Sequence, residues 1–314
     1  MSATNVHRLD GLEPDNLLAF LALLGLLRTL EASDNSENNA EAKCRARISW
    51  DKNEFPLRPN LHLARAMSQK DIAECASNAI EALAGTYNFS GHQKLKLTPN
   101  QARTELSNAA KANDVERAAL WAALVSDAAT KDKAVERTPF CLLDVAQTSF
   151  LKTLLAVVSA SNGRQDAIEK ALFHPWRWSD EMRSFRWDPI EDTRHAYCAL
   201  APSDDKQKVE RGANILAAMA LPILTVVPQQ RGASVRLRVV GGDSREGVFV
   251  FAWPIWNQPA SLAAIRAMLT HEALWKTDGM AYLGVEQVMV SQRIAPTRYN
   301  NFTRARPLNE AAKS

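Results

Sequence analysis

The sequence lacks most of the short motifs that identify enzymes and metal-binding proteins. Its 314 residues contain no G-x-S-x-G nucleophile motif, no P-loop and no G-x-G-x-x-G dinucleotide motif. None of its four cysteines forms a C-x-x-C pair, and no two of its six histidines are spaced i, i+4. We therefore expect a chain that is not an enzyme, with no bound metal and no cofactor.

The chain also has little net charge and no long apolar run. A formal net charge of only +3 argues against a protein whose whole surface binds nucleic acid. The most apolar stretch, residues 17–30, is interrupted by Arg28 and is short for a bilayer span. The first nine residues are polar and lack the apolar core of a secretory signal. We expect a cytoplasmic protein without membrane contact.

What the sequence does contain is typical of a folded α+β protein, with 46% hydrophobic and 23% charged residues. We expect a helix-rich middle flanked by strand-bearing N- and C-terminal portions. Residues 1–314 should form a single compact domain, in which 65–173 could be a helical subregion and 295–314 a basic C-terminal tail. Helical patterns fall at residues 17–30, 69–84, 101–111, 115–126, 148–159, 166–173, 208–224 and 261–269. Strand patterns fall at 45–50, 193–200, 234–240, 248–253 and 286–294, with a turn at 241–244.

Basic and aromatic residues alternate between positions 174 and 194. The two triplets there are Trp-Arg-Trp at 176–178 and Phe-Arg-Trp at 185–187. The candidate phosphate-binding side chains are Arg177, Arg183, Arg186 and Arg194. Guanidinium groups bind phosphates in bidentate fashion, and indole rings stack on unpaired bases. A structural role is the alternative, because five acidic residues balance these arginines and tryptophans usually lie in the core.

Three further patches are candidates for nucleic-acid contact. One is a loop with aromatic neighbours, one is a predicted strand, and one is the C-terminal segment. Their basic residues are Lys94 and Lys96; Arg231, Arg236 and Arg238; and Arg293, Arg298, Arg304 and Arg306. Side chains two apart on a strand share a face, so Arg236 and Arg238 should point the same way. An ordinary edge strand and a disordered end are the alternatives for the last two patches.

One cluster of carboxylates is a candidate metal site. Asp188, Glu191 and Asp192 lie close together, and His195 follows three residues later. Carboxylate oxygens are the ligands that Mg²⁺ prefers. A solvated turn after a proline is the alternative, because no phosphate-binding loop accompanies the cluster.

Four short stretches resemble a known family. Residues 9–27, LDGLEPDNLLAFLALLGLL, resemble the N-terminus of large-subunit proteins of type I CRISPR effector complexes, most closely those of type I-G, formerly I-U. WDPIEDTR at 187–194, GANILA at 212–217 and WPIW at 253–256 resemble internal segments of the same proteins. None of the four is an active-site motif, and the chain is short for a large subunit.

The resemblance implies a non-catalytic subunit that binds near the 5′ end of a guide RNA. It implies help in recognising the DNA motif beside the target and in stabilising opened DNA. The implied partners are guide RNA, target DNA, the backbone and guide-end-binding subunits, and a recruited helicase-nuclease. Two alternatives stay open: a metal-dependent nuclease built on the carboxylate cluster, and a protein-interaction scaffold without nucleic-acid contact.

Overall fold

The computed structural model describes residues 3–144, 148–191, 208–294 and 300–311, and there the fold is α+β, as predicted. The helices are α1 (Leu17–Ser36), α2 (Gln69–Leu83), α3 (Pro99–Lys111), α4 (Val115–Leu124), α5 (Phe150–Ser159), α6 (Arg164–Phe173), α7 (Arg211–Ala220), α8 (Leu262–Thr270) and α9 (Leu308–Ala311). The strands are β1 (Thr4–Arg8), β2 (Arg47–Trp50), β3 (Pro59–Met67), β4 (Val125–Lys131), β5 (Ala134–Arg137), β6 (Val226–Arg231), β7 (Ser234–Val239), β8 (Gly242–Arg245), β9 (Val248–Trp256), β10 (Val285–Ile294), β11 (Asn301–Phe302) and β12 (Arg306–Pro307). Short 3₁₀ turns span Ala84–Tyr87, Pro189–Glu191, Leu221–Ile223, Glu272–Trp275 and Ala281–Leu283.

The strands form two sheets and two hairpins, and every pairing among the described strands is antiparallel. The first sheet has the order β1-β3-β2, and the second has the order β11-β10-β9-β8 with β12 also on β10. The hairpins are β4–β5 and β6–β7. Ile48 of β2 and Ala260 exchange backbone hydrogen bonds of 2.9 and 2.8 Å, which tie the first sheet to the segment after β9.

Helix α1 is the centre of the fold. Asn16 caps it by accepting the backbone N–H of Leu18 at 2.9 Å. All residues from Leu17 to Leu30 are buried, including Arg28, as apolar residues on almost every face of the helix predict. The helix packs so closely on α7 that a Cβ atom at Gly25 would lie 1.7 Å from the carbonyl oxygen of Leu216. Within the described residues, no helix has both the length and the apolar character needed to cross a bilayer.

An aromatic cluster fills the space between the second sheet and the segment before α5. Phe140 is its centre, with ring centroids 5.2 Å from Phe251, 5.9 Å from Phe302 and 6.4 Å from Trp187. Phe302 is only 1% exposed, and β11 and β12 both pair with β10. The described part of the expected basic tail is therefore an edge of the sheet.

Several predicted strands and turns differ from those observed. The turn predicted at 241–244 is wrong: Gly242–Arg245 is a strand, and Glu246 and Gly247, with φ of 51° and 82°, make the turn. Gly242 serves packing instead, because a Cβ there would lie 2.4 Å from Val239. Strand β7 pairs with β6, and the strand predicted at 193–200 lies outside the described residues. The unpredicted β4–β5 hairpin lies inside the expected helical subregion.

Candidate nucleic-acid interface

A cleft with a volume of about 530 Å³ opens between the loop before α3, the β4–β5 hairpin and the end of β10. Four basic side chains line it: Lys96, Lys131, Arg137 and Arg293. We call this site the basic cleft. Its cations come from three separate parts of the sequence, so only the fold brings them together.

The turn of the β4–β5 hairpin shapes one wall of the basic cleft. Asp132 and Lys133 form a two-residue loop with φ of 51° and 65°, the conformation of the type I′ turns that match strand twist. The N–H of Val135 donates to the carbonyl oxygen of Leu97 at 2.9 Å. This bond fixes the loop that carries Lys96 against the hairpin.

The acidic residues of the basic cleft are largely compensated within the chain. Glu136 pairs with Arg236 at 3.3 Å and accepts the backbone N–H of Leu237 at 2.7 Å. Asp144, whose side chain is 1% exposed, accepts the backbone N–H groups of Leu95 at 2.7 Å and Phe150 at 2.8 Å. The remaining acid lies in the exposed hairpin turn. The four cations and three carboxylates that line the cleft leave a net charge of +1, and Glu136 is paired with an arginine outside the lining.

Arg137 and Arg293 are the two arginines of the basic cleft. A guanidinium nitrogen of Arg293 donates to the carbonyl oxygen of Pro139 at 3.1 Å, and within the described chain no carboxylate pairs with Arg293. Burial lowers the pKa of Arg293, and the nearby positive charge of Arg137 lowers it further. The single ion pair of Arg137 within the same ranges is a long one, 3.8 Å from Asp144. Two arginines that repel each other beside a cleft favour an anionic ligand.

Several of the lysines and arginines proposed from the sequence lie at or near the basic cleft. Lys96 and Arg293 line it, and half-buried Lys94 belongs to the same loop as Lys96. Arg236 forms an ion pair with Glu136, which lines the cleft. Both Arg236 and Arg238 are exposed on β7, which confirms that they share a face. The side chain of Arg231 lies outside the described part of the structure.

Two cations of the basic cleft, Lys131 and Arg137, are not among the candidates that the sequence patterns indicate. Residues 115–126 were expected to be helical, and no strand was assigned to the segment that follows. The sequence Lys131-Asp132-Lys133 has the polar turn residues of a hairpin. This pattern is the local feature from which the β4–β5 hairpin could be predicted.

The aromatic side chains between positions 174 and 194 pack and form hydrogen bonds within the fold. Trp187 is fully buried, donates its indole N–H to the carbonyl oxygen of Phe140 at 2.9 Å, and stacks on Phe185 at 4.4 Å. The half-buried rings of Trp176 and Trp178 meet edge to face at 6.4 Å, and their indole N–H groups donate within the chain at 2.9 Å. Their hydrogen-bonding groups are used internally, as the structural alternative expected.

The arginines of that segment have different surroundings. Arg177 and Arg183 are exposed and have no ion pair within the described ranges, whereas Arg186 is half-buried. Arg194 falls outside those ranges. Arg177 and Arg183 are therefore the members available on the surface.

The C-terminal arginines do not form one patch. Arg304 donates to Glu13 at 2.9 Å and to Asp15 at 2.8 Å, so its charge fixes β11–β12 to the start of α1. Arg306 is exposed on β12, and Arg298 lies outside the described residues. Among the members of this group that the structure describes, only Arg293 lines the basic cleft.

Asp188 is buried next to Asn16, the residue that caps the start of α1. It accepts hydrogen bonds from the Asn16 amide at 3.1 Å, the Trp178 indole at 2.9 Å and the backbone N–H of Ile190 at 3.1 Å. Burial raises the pKa of Asp188 despite these donors. The carboxylate thus joins α1 to the segment before the Pro189–Glu191 turn.

Glu191, the next carboxylate of the cluster, is also buried. Its Oε2 atom accepts the hydroxyl of Ser184, while Oε1 has no hydrogen-bond partner in the described structure. Burial, and then the charge of Asp188, raise its pKa to about 8. Asp192 and His195 lie outside the described residues. In the part of the chain that the structure describes, no group of three or more His, Cys, Asp or Glu side chains could hold a metal ion.

No family model matches the sequence, and no curated protein matches it.

Proposed function

We propose that this chain is a non-catalytic, nucleic-acid-binding subunit of an RNA-guided CRISPR surveillance complex of type I, similar to its large subunits. It acts in the cytoplasm and binds guide RNA and target DNA. It helps recognise the target-flanking motif and stabilises opened DNA, while base pairing with the guide reads the long sequence. Its protein partners are the backbone and guide-end-binding subunits and the recruited helicase-nuclease.

The observation that carries this proposal is the basic cleft. Lys96, Lys131, Arg137 and Arg293 converge there from distant parts of the chain. Two of the three acids in the lining are engaged, Asp144 by backbone N–H groups and Glu136 by Arg236. A concave, positively charged surface is what a nucleic-acid strand requires. Exposed Arg177, Arg183 and Arg238 supply further phosphate contacts.

A small net charge is consistent with a subunit that binds as part of an assembly. With a formal charge of only +3, the chain attracts nucleic acid through local patches. Neighbouring subunits would supply the rest of a continuous path for the strand. Phosphate contacts of this kind fix position and register without reading sequence.

The test is binding of a single-stranded RNA oligonucleotide by the purified chain at several salt concentrations. Changing Lys96, Lys131 and Arg137 together to Gln should weaken binding and reduce the salt slope by about two, because each phosphate contact on a single strand contributes ~0.7. The matched control changes three exposed cations outside the cleft to Gln. These are Lys70, Lys170 and Arg266.

Equal losses in the two triple variants would show nonspecific attraction and overturn the role of the cleft. No binding by the wild-type chain, alone or purified with its guide RNA and neighbouring subunits, would overturn the proposal and favour a protein-interaction scaffold. Retention of a CRISPR guide RNA by the wild-type assembly, and its loss from the cleft variant, would support the proposal.

A further inference from the structure

The floor of the basic cleft contains a buried hydroxyl with no hydrogen-bond partner. Thr138 lines the cleft, is 1% exposed, and its Oγ1 atom has no partner in the described chain. Its backbone is fully engaged, because its N–H donates to Leu124 at 2.9 Å and its carbonyl accepts from Cys141 at 3.0 Å. A buried hydroxyl without a partner destabilises the fold. An unused donor on a residue that lines a cleft is a candidate ligand contact.

Both arginines of the cleft are connected to the segment that contains Thr138. Arg137 is the preceding residue, and Arg293 is held by the carbonyl oxygen of Pro139, the following residue. Arg137, Thr138 and Arg293 therefore all line the cleft. Arg137 and Thr138 are consecutive in sequence, and Arg293 donates to the residue that follows them. Of the three carboxylates that line the cleft, Asp144 is 3.8 Å from Arg137 and already accepts two backbone N–H groups.

We infer that Arg137, Thr138 and Arg293 form a seat for one phosphate group of a nucleic-acid strand, an inference that rests on the proposed function. Arginines bind phosphate in bidentate fashion, and the hydroxyl donates to a further phosphate oxygen. A volume of about 530 Å³ leaves room for the attached nucleoside, since pockets of roughly 300–1,000 Å³ hold small ligands. Lys96 and Lys131 contact the neighbouring phosphates.

The Thr138→Val variant tests the seat because it removes the hydroxyl and keeps the shape. Single-stranded RNA should bind about tenfold more weakly, the usual effect of losing one hydrogen bond to a charged group. The melting temperature of the free protein should stay the same or rise, because no hydrogen bond is lost within the fold. Arg137→Gln should weaken binding at least as much and reduce the salt slope by ~0.7. Arg266→Gln on α8 is the control.

Inorganic phosphate, measured by calorimetry on the same proteins, separates the seat from the proposed function. If wild type binds RNA and both Thr138→Val and Arg137→Gln bind it equally well, the seat is refuted and the proposed function stands. If wild type binds phosphate in a Thr138-dependent manner but binds no RNA, the seat serves free phosphate and the proposed function fails. If the free chain binds neither probe, the seat is overturned, and the proposed function is overturned as well if the assembly with guide RNA and neighbouring subunits also fails to bind.

Discussion

Replacing Glu191 with Gln should remove a pH-dependent loss of stability. Glu191 is 2% exposed, and burial together with the charge of Asp188 raises its pKa to about 8. Glutamine has nearly the same shape as a protonated glutamate and still accepts the hydroxyl of Ser184. The substitution therefore removes the ionisation and leaves the packing.

The size and sign of the effect follow from proton linkage. Below pH 4.5, the ordinary pKa of a glutamate, both folded and unfolded chains carry the proton. Between pH 4.5 and about 8 the unfolded chain ionises while the folded chain keeps its proton, so the free energy of unfolding falls as pH rises. Since each tenfold change in proton affinity is worth ~1.4 kcal/mol, the total loss is on the order of 5 kcal/mol.

Urea denaturation at intervals between pH 5 and pH 9 measures this loss. The two proteins should be about equally stable at pH 5, and Glu191→Gln should be more stable by several kcal/mol at pH 9. Glu74→Gln on α2 is the control, because that side chain is exposed. Parallel curves for wild type and Glu191→Gln would refute the assignment of a buried, protonated Glu191.

Three further outcomes are expected. Gly25→Ala should prevent stable folding, because its Cβ would lie 1.7 Å from the Leu216 carbonyl oxygen. Gly85→Ala is the control and should leave the melting temperature almost unchanged, because no atom lies within 4 Å of its Cβ. Phe302→Ala should lower the free energy of unfolding by about 3–5 kcal/mol in urea, and an unchanged value would mean that β11 does not pack as described. The purified chain should not cleave RNA or DNA with Mg²⁺, Mn²⁺ or Zn²⁺; metal-dependent cleavage abolished by Asp188→Ala would contradict this.

Much of the helical framework could be predicted from local pattern. Helix α1 has apolar residues on every side and an Asn16 cap, so its burial needed no knowledge of its partners. The β4–β5 hairpin was missed because Val125–Lys131 has neither a long apolar run nor clear alternation. Gly241 and Gly242 resembled a turn, yet Gly242 is a close-packing position within a strand.

The candidate site was predicted only in part, because its residues meet through tertiary structure. Lys96 and Arg293 were selected for their local charge, and the fold brings both to the basic cleft. Arg304 belonged to the same charged segment as Arg293, but its carboxylate partners near α1 are almost 300 residues away in sequence, so no local pattern could reveal them. The unused hydroxyl of Thr138 is visible only once burial and hydrogen bonds are known.

Photo-crosslinking tests most directly whether nucleic acid occupies the basic cleft. A 4-thiouridine-labelled single-stranded RNA would be crosslinked to the wild-type chain, and the modified peptides would be identified by mass spectrometry. Crosslinks should concentrate on the loop around Lys96, on β4–β5 with Thr138, and on the end of β10, and they should decrease in the triple Gln variant of the cleft. Crosslinks confined to α2, α6 and α8, or equally abundant in the variant, would contradict the account.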